Sequence, residues 1–421
     1  MRIIRILFIS VLVVLGFISC QRIEDESFPE DQLIERKDFI LTRSELNFIQ
    51  ENNSFAIELF KRVAAKEVGK STLVSPLSVT IDFGMVNNGA VGETQEEINR
   101  VLGFKEGSVD VFNAFCQSML VQSAEVDPST TLDMANAAVV NKLYVPLKED
   151  FSKTIRSLYD AEVIYKEFGK DDVRGLINKW CSEKTHGMIP ELLKDQPDPS
   201  EYAHFLNALY FKGIWSNKFD KKDTKKESFI CGDGSRTTVN MMWQKDKFNY
   251  GGIGDICTTL CLPYGNQAYR MIILLPMEGK TIEDVKKTLN GEVWRAMMKG
   301  MSGAEVDVKL PVFETATDVL RLRDVLIDMG IRKAFGIGGA DFHGMSEVSL
   351  YIGDVFHKAR IKVDETGSEA AAVTDIVMKT GAGPSPAVPS VIEFHCDRPF
   401  LFAITEVSSG AIYFMGQYTG K

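Results

Sequence analysis

A chain of 421 residues, 45 % of them hydrophobic, can bury a large core; its length suits two or three domains, although single domains of this size occur. Its 48 Lys and Arg against 58 Asp and Glu leave a formal net charge of −10. That balance argues against nucleic-acid binding and against a broadly basic membrane-surface protein.

Residues 1–19 carry Arg2 and Arg5 before an apolar run from Ile6 to Ile18, too short for a membrane span, and they close on Ser19. This is the layout of a secretory signal. Cys20 follows in the place where bacterial lipoproteins carry their lipidated cysteine, although Phe17 departs from the usual Leu. The expectation is an exported protein anchored through lipid on Cys20 to an outer membrane, with a plain signal peptide as the alternative. Residues 20–37 are polar and acidic, which suits a tether. The other six cysteines are scattered, with no disulfide framework and no metal spacing, and read as buried small apolar side chains.

From Leu41 to Glu67 apolar residues recur at helical spacing. STLVSPLS at 71–78 reads as a short strand followed by a helix over Leu77–Asn88 with Pro76 in its first turn. Thr94 and Glu97 have the spacing of a capping box for the next helix. Asp133–Tyr144 reads as strand, Lys148–Leu158 as helix, Leu176–Leu193 as a helix broken near Gly187 and Pro190, and His204–Lys212 as an apolar strand interrupted by Asn207. Strands then dominate to Pro276. A helical insert over Thr281–Met298, a strand over Val306–Phe313 and a helix over Leu320–Met329 follow, and the C-terminus alternates again. No long linker interrupts this order, so residues 38–421 read as one α+β domain.

The stretch 364–391, DETGSEAAAVTDIVMKTGAGPSPAVPSV, joins two unlike halves. Ser368, Ala370, Ala372, Thr374, Ile376 and Met378 lie on one side of a potential strand, with Glu369, Ala371, Val373 and Asp375 on the other. Thr380–Ser390, rich in Gly and Pro, reads as an exposed loop. No HExxH, CxxC, GxSxG or phosphate-cradling glycine loop occurs, so no catalytic signature and no cofactor is indicated.

SPLS at 75–78, GAVGET at 89–94, NKWCSEKTHGMIPELL at 178–193, NALYFKGIWSNKFD at 207–220, VNMM at 239–242, LPYGNQAYRMIILLP at 262–276, ADFHGMS at 340–346 and HKARIKVDETGSEAAA at 357–372 occur in that order. Together they resemble the serpins, over nearly everything from residue 48 to 419. The resemblance implies three β-sheets, eight or nine helices, and a reactive-centre loop at about 365–390. It also implies a suicide inhibitor, not an enzyme: a target protease cleaves the loop, is held as an acyl-enzyme, and is carried off as the loop enters the central sheet. A non-inhibitory serpin acting as a binding or scaffold lipoprotein is the alternative.

The residues support the inhibitory form. Ser368, Ala370, Ala371 and Ala372 are small enough to pass between strands, and no proline between Pro311 and Pro384 would remove a ladder donor. Gly367 can supply an unusual backbone angle where the loop folds over. By matching motif, Glu365, Gly367, Ser368, Glu369, Ala370, Ala371 and Ala372 form the hinge. Ser75, Ser78, Asn207 and His357 form the hydrogen-bonded cluster beneath the sheet's opening point, and Trp215 stands at the top. After Leu310-Pro311 this chain has Val312 where the family often has a Lys facing the hinge glutamate, so Glu365 loses that ionic partner.

The family's count of sixteen residues past Glu365 puts the scissile bond between Gly381 and Ala382; counting back from Arg398 gives Val388 instead. The first count is preferred, because insertion length from the hinge limits trapping. Within Met378, Lys379, Thr380, Gly381 and Ala382, Lys379 suits trypsin-like enzymes, and Thr380 or Met378 suits elastase-like or subtilisin-like ones. The implied partners are serine proteases and, as a second class, papain-like cysteine proteases. The protein is expected to be a monomer that meets the membrane only through its N-terminal lipid.

Overall fold

The computed structural model describes residues 35–104, 109–144, 146–368 and 391–421. The predicted residues Cys20, Glu369, Ala370, Ala371, Ala372, Met378, Lys379, Thr380, Gly381 and Ala382 lie outside them.

The first third is mostly helical: α1 (Arg43–Lys66), β1 (Thr72–Val74), α2 (Pro76–Asn87), α3 (Gly92–Leu102), α4 (Val109–Gln122), β2 (Thr131–Asn141), α5 (Glu149–Tyr159) and β3 (Ala161–Lys166). The middle holds α6 (Val173–Lys184), β4 (Ala203–Ile214), β5 (Lys225–Ile230), β6 (Arg236–Ile253), β7 (Cys257–Tyr264) and β8 (Tyr269–Pro276). There follow α7 (Ile282–Thr288), α8 (Gly291–Gly300), β9 (Ser302–Pro311), β10 (Phe313–Ala316), β11 (Leu320–Arg321), α9 (Arg323–Met329) and β12 (Phe356–His357). The chain closes with β13 (Arg360–Asp364), β14 (Gly367–Ser368), β15 (Ile392–His395), β16 (Phe400–Glu406) and β17 (Ile412–Tyr418). Among the described residues there are thus nine α-helices, and the strands form three sheets.

Caps explain several boundaries. Thr42 and Glu45 close a capping box on α1, and Ser75 caps α2 with Pro76 at its start. The box expected at Thr94 and Glu97 does not form. The helix begins earlier, at Gly92, so both residues lie inside it and turn to other partners. Thr94 Oγ1 accepts the Asp341 N–H at 2.9 Å, and the Glu97 carboxylate accepts those of Arg332 and Lys333 at 2.6 and 2.7 Å.

Three other expectations need correction. Helix α6 stops at Lys184 and does not resume before Leu193. Asn178 Oδ1 accepts the backbone N–H groups of Leu192 and Leu193, both at 2.8 Å, so that stretch is satisfied without being helical. The insert over 281–298 is two helices, because Asn290 takes the N–H groups of Glu292 and Val293 and starts α8 afresh. Leu320 and Arg321 form a strand against His357 and Phe356, and the helix begins at Arg323.

The six-stranded sheet runs β10-β13-β14-β4-β2-β3, with β2 and β3 parallel and its other pairs antiparallel. Both faces of its centre are covered. Ala138, Val140, Leu209 and Phe211 meet the main core, while Ala137, Val139, Leu206 and Ala208 meet α6 through Val173, Ile177 and Trp180. A strand segment buried on both sides reads as a continuous apolar run, as Ala137–Val140 of β2 does. The nine-stranded sheet runs β1-β17-β16-β8-β7-β6-β9-β15, with β5 also on β6. Its first pair joins distant chain regions, Thr72 opposite Gln417. The six described cysteines beyond Cys20 are free and buried.

Candidate functional site

Strand β14 is two residues long, yet it pairs antiparallel with β13 on one side and β4 on the other. Gly367 stands opposite Asp364 and Ile214, and Ser368 opposite Val363 and Gly213. Among the described residues no other strand joins β13 to β4. Gly367 has φ +152°, and a Cβ there would collide with the Gly213 carbonyl oxygen, so the close approach needs glycine. The Ser368 hydroxyl is buried and lies 2.8 Å from the Tyr264 hydroxyl.

The turn leading into β14 is clamped mostly by main-chain bonds. Trp215 donates its backbone N–H to Thr366 O and its indole N–H to Asp364 O, both at 2.9 Å. The indole stacks on Tyr264, with centroids 4.3 Å apart and planes within 10°. Phe219 N–H donates to Glu365 O at 3.0 Å. The Glu365 carboxylate accepts the Thr224 hydroxyl at 2.8 Å, a neutral partner in place of the missing lysine.

Further down the same sheet lies a second assembly. Ser75 N–H donates to His357 Nε2 at 3.0 Å, and Ser75 Oγ donates to Tyr413 O at 2.9 Å. Because a backbone N–H can only donate, Nε2 is an acceptor and the imidazole is neutral. Burial agrees, pulling the His357 pKa down to about 4. Ser78 Oγ donates to Asn207 Oδ1, Asn207 Nδ2 to Asn136 Oδ1 at 2.8 Å, and Asn136 Nδ2 to Tyr159 O at 2.7 Å. Tyr159 in turn donates to Asn113 at 2.7 Å, so the relay crosses from sheet to helices. Ser75, Ser78, Asn207 and His357 therefore lie together, and Trp215 lies against the turn at 364–366.

Sequence reading missed Tyr264, Thr224 and the extension through Asn136, Tyr159 and Asn113. It also missed Asp82 on α2. A cavity of about 30 Å³ is lined by Asp82 together with Ser78, Asn207, His357, Cys181 and Thr185. Asp82 Oδ1 is buried there without a hydrogen-bond partner, and burial holds its pKa well above the usual carboxylate range. The same burial, with Asp82 nearby, pushes the Cys181 thiol up to about 12. A lone acid in the apolar run PLSVTIDFGMVN was the available signal.

The family model for Serpin (serine protease inhibitor) matches residues 50–420. The chain is a serpin. Iripin-3 of Ixodes ricinus is 34 % identical over 358 residues, covering 83 % of this chain and 88 % of that protein. Serpin B6 of Macaca fascicularis is 34 % identical over 382 residues, covering 88 % of this chain and 98 % of that protein. Among solved structures, the native-state thermophilic serpin Tengpin superposes with TM-score 0.80 at 26 % identity, covering 91 % of this chain and 96 % of that one. Thyroxine-binding globulin in complex with thyroxine gives TM-score 0.78 at 25 % identity, covering 89 % and 99 %. The serpin family is one of protease inhibitors, and proteases are its partners.

Proposed function

We propose that this serpin is a suicide-type inhibitor of serine proteases, with papain-like cysteine proteases as a second class, and that residues 365–390 are its reactive-centre loop. The observation that carries this reading is β14, seated between β13 and β4 and antiparallel to both. Extending its register residue by residue brings Thr374 opposite both Asn207 and His357, and Met378 opposite Ala203, where β4 begins. A strand continued from Gly367 to Met378 would match β4 from end to end, and Lys379 to Ala382 would fall just beyond it. That fit favours a cut within 378–382 over one at Val388.

The chemistry is the protease's own. Its serine oxygen attacks the scissile carbonyl carbon, the amide C–N bond breaks, the leaving amine takes a proton, and an ester remains. Entry of the freed strand adds paired backbone to the sheet and distorts the bound enzyme before water can cleave the ester. Cys20 is the proposed lipid anchor, residues 1–19 the signal, 20–37 the tether and 38–421 the inhibitory domain. A second reading, a non-inhibitory carrier, is suggested by the likeness to thyroxine-binding globulin; the small residues after Gly367 favour inhibition over it.

The test is incubation with trypsin, pancreatic elastase and subtilisin, followed by denaturing gels. The expected result is a covalent complex, a released C-terminal peptide beginning within 379–382, and a cleaved form that melts far above the intact one. Cleavage without a complex and without that rise in melting temperature overturns the inhibitory reading. For the anchor, Cys20→Ala is expected to move the protein from the membrane to the soluble fraction.

A further inference from the structure

Where α1 begins and α4 ends, the surface is apolar. Ile40 is 88 % exposed, the most of any large apolar side chain among the described residues, and Val121 and Leu46 are 55 % and 38 % exposed. Ile40 is held out by its own backbone: its N–H donates to Gln122 Oε1 at 2.7 Å, and its carbonyl accepts Gln122 Nε2 at 3.2 Å. Phe39 beside it is buried and donates its N–H to Ser408 Oγ at 2.9 Å. Val121 precedes Gln122 and lies one helical turn past Ser118, whose hydroxyl donates to Glu45 Oε1 at 2.7 Å. Leu46 follows Glu45 and lies off the buried stripe of α1 that runs through Phe48, Ile49, Asn52 and Phe55. The three exposed side chains therefore gather at one junction. Single exposed apolar residues are ordinary, whereas a group of them presented on a pinned backbone marks a contact surface.

What covers the junction follows from where the chain enters the domain. With lipid on Cys20, fifteen residues lead from the membrane to Glu35. Fully extended they span at most ~50 Å, and as a coil roughly 20 Å. Ile40 comes five residues later, so the junction is the part of the folded domain that the chain delivers first to the bilayer. Residues 35–43 carry Arg36, Lys37 and Arg43 against Glu35 and Asp38, in a chain whose formal net charge is −10, so the approach is not acidic here. A weak apolar contact is enough at this place, because the tether keeps the effective concentration of the face at the membrane high.

We infer that Ile40, Leu46 and Val121 form a lipid-contact face that seats at the boundary between headgroups and acyl chains of the membrane holding the anchor. The inference rests on the lipid-anchor reading and extends it from a tether to a fixed orientation. A domain seated by this junction holds its reactive-centre loop in one set direction relative to the bilayer, so proteases reach the loop from one side only.

The test uses the full chain, matured in a bacterial host from its own N-terminus, purified from membranes and reconstituted on phosphatidylcholine vesicles. Ile40→Cys, Val121→Cys and Val68→Cys are each labelled with a nitrobenzoxadiazole thiol probe, which brightens in apolar surroundings; the six native cysteines of the domain are buried. Val68 is 82 % exposed and stands just past the other end of α1, about 36 Å along the helix, which makes it the control. On reconstitution the probes replacing Ile40 and Val121 are expected to brighten about threefold and to be quenched by nitroxide-bearing lipid, while the one replacing Val68 does neither. Adding Ile40→Asp to the Val121→Cys chain is expected to cut its brightening at least about twofold. Chains that float with the vesicles but show no brightening at either site overturn the lipid-contact face and leave the anchor intact. Brightening that nitroxide lipid does not quench means that a second copy covers the junction, and overturns it as well. A wild type that carries no lipid and does not float removes the anchor reading and this inference with it.

Discussion

At the upper end of β4, Gly367 and Ser368 are held by ladder pairing, and the turn before them by backbone bonds from Trp215 to Thr366 and from Phe219 to Glu365, with one aromatic stack as backing. Six residues down the strand, about 20 Å away, Asn207 is held by side chains, through Ser78 and Asn136. The upper clamp depends on shape: a glycine where no Cβ fits, and an indole where a large ring fits. The lower cluster depends on which atoms donate and which accept, and so on protonation. It also carries an unpaired oxygen on Asp82, which the upper clamp has no counterpart for among the residues described around it. One sheet is thus secured at one point by sterics and at another by polarity, and the two should fail under different insults.

The largest expected effect separates them by size. Trp215→Ala removes a buried ring stacked on Tyr264 and the indole bond to Asp364 O while keeping the backbone bond to Thr366 O, and should cost about 3–5 kcal/mol of stability in thermal or denaturant unfolding. A loss under about 1 kcal/mol would show that the backbone bonds alone hold the turn.

The next separates them by pH. The His357 pKa is about 4 when folded against 6.5 for the free side chain, so the unfolded chain binds more protons between these values. The stabilising contribution is complete above pH 6.5 and is lost as pH falls toward 4, by roughly 3 kcal/mol at about 1.4 kcal/mol per unit. Melting curves from pH 7 down to pH 4.5 read it, and His357→Gln should flatten them. Equal acid sensitivity in that variant would place the effect elsewhere.

Gly367→Ala attacks the upper clamp alone. Pushing a methyl against the Gly213 carbonyl should cost about 1–3 kcal/mol and shrink the melting gap between cleaved and intact forms, with acid sensitivity unchanged.

The smallest effect has the opposite sign. Asp82→Ala relieves a buried, unpaired acid and should stabilise the intact form by about 1 kcal/mol, whereas ordinary core packing predicts a loss. Because the Asp82 pKa is raised on folding, its wild-type contribution fades as pH climbs through the folded value, and the variant should lose that decline.

Much of this was readable in the chain. Ser75-Pro76 announces both a strand end and a helix start, and β4 with Asn207 in its middle reads as an apolar strand interrupted by a polar group that needs a partner. The partners themselves were harder. Tyr264 meets Ser368 across 104 positions, and nothing local to either residue marks the contact. Thr94 and Glu97 misled because a tertiary neighbour, the 332–341 segment, outbid the helix's own first turn for the same oxygens. Helix ends near 184 and 289 depended on where Asn178 and Asn290 sent their amides, a choice that periodicity does not encode.

The pairing of β1 with β17 also governs time. β17 lies between β1 and β16, and β16 lies against β8, so the last strands to be synthesised occupy the interior of the nine-stranded sheet. At ~5–20 residues per second, β8 is finished roughly 7–30 s before β17 is complete. Throughout that interval β1 and β8 present raw edges. A nascent chain of this design has to be shielded from its neighbours until its final residues arrive.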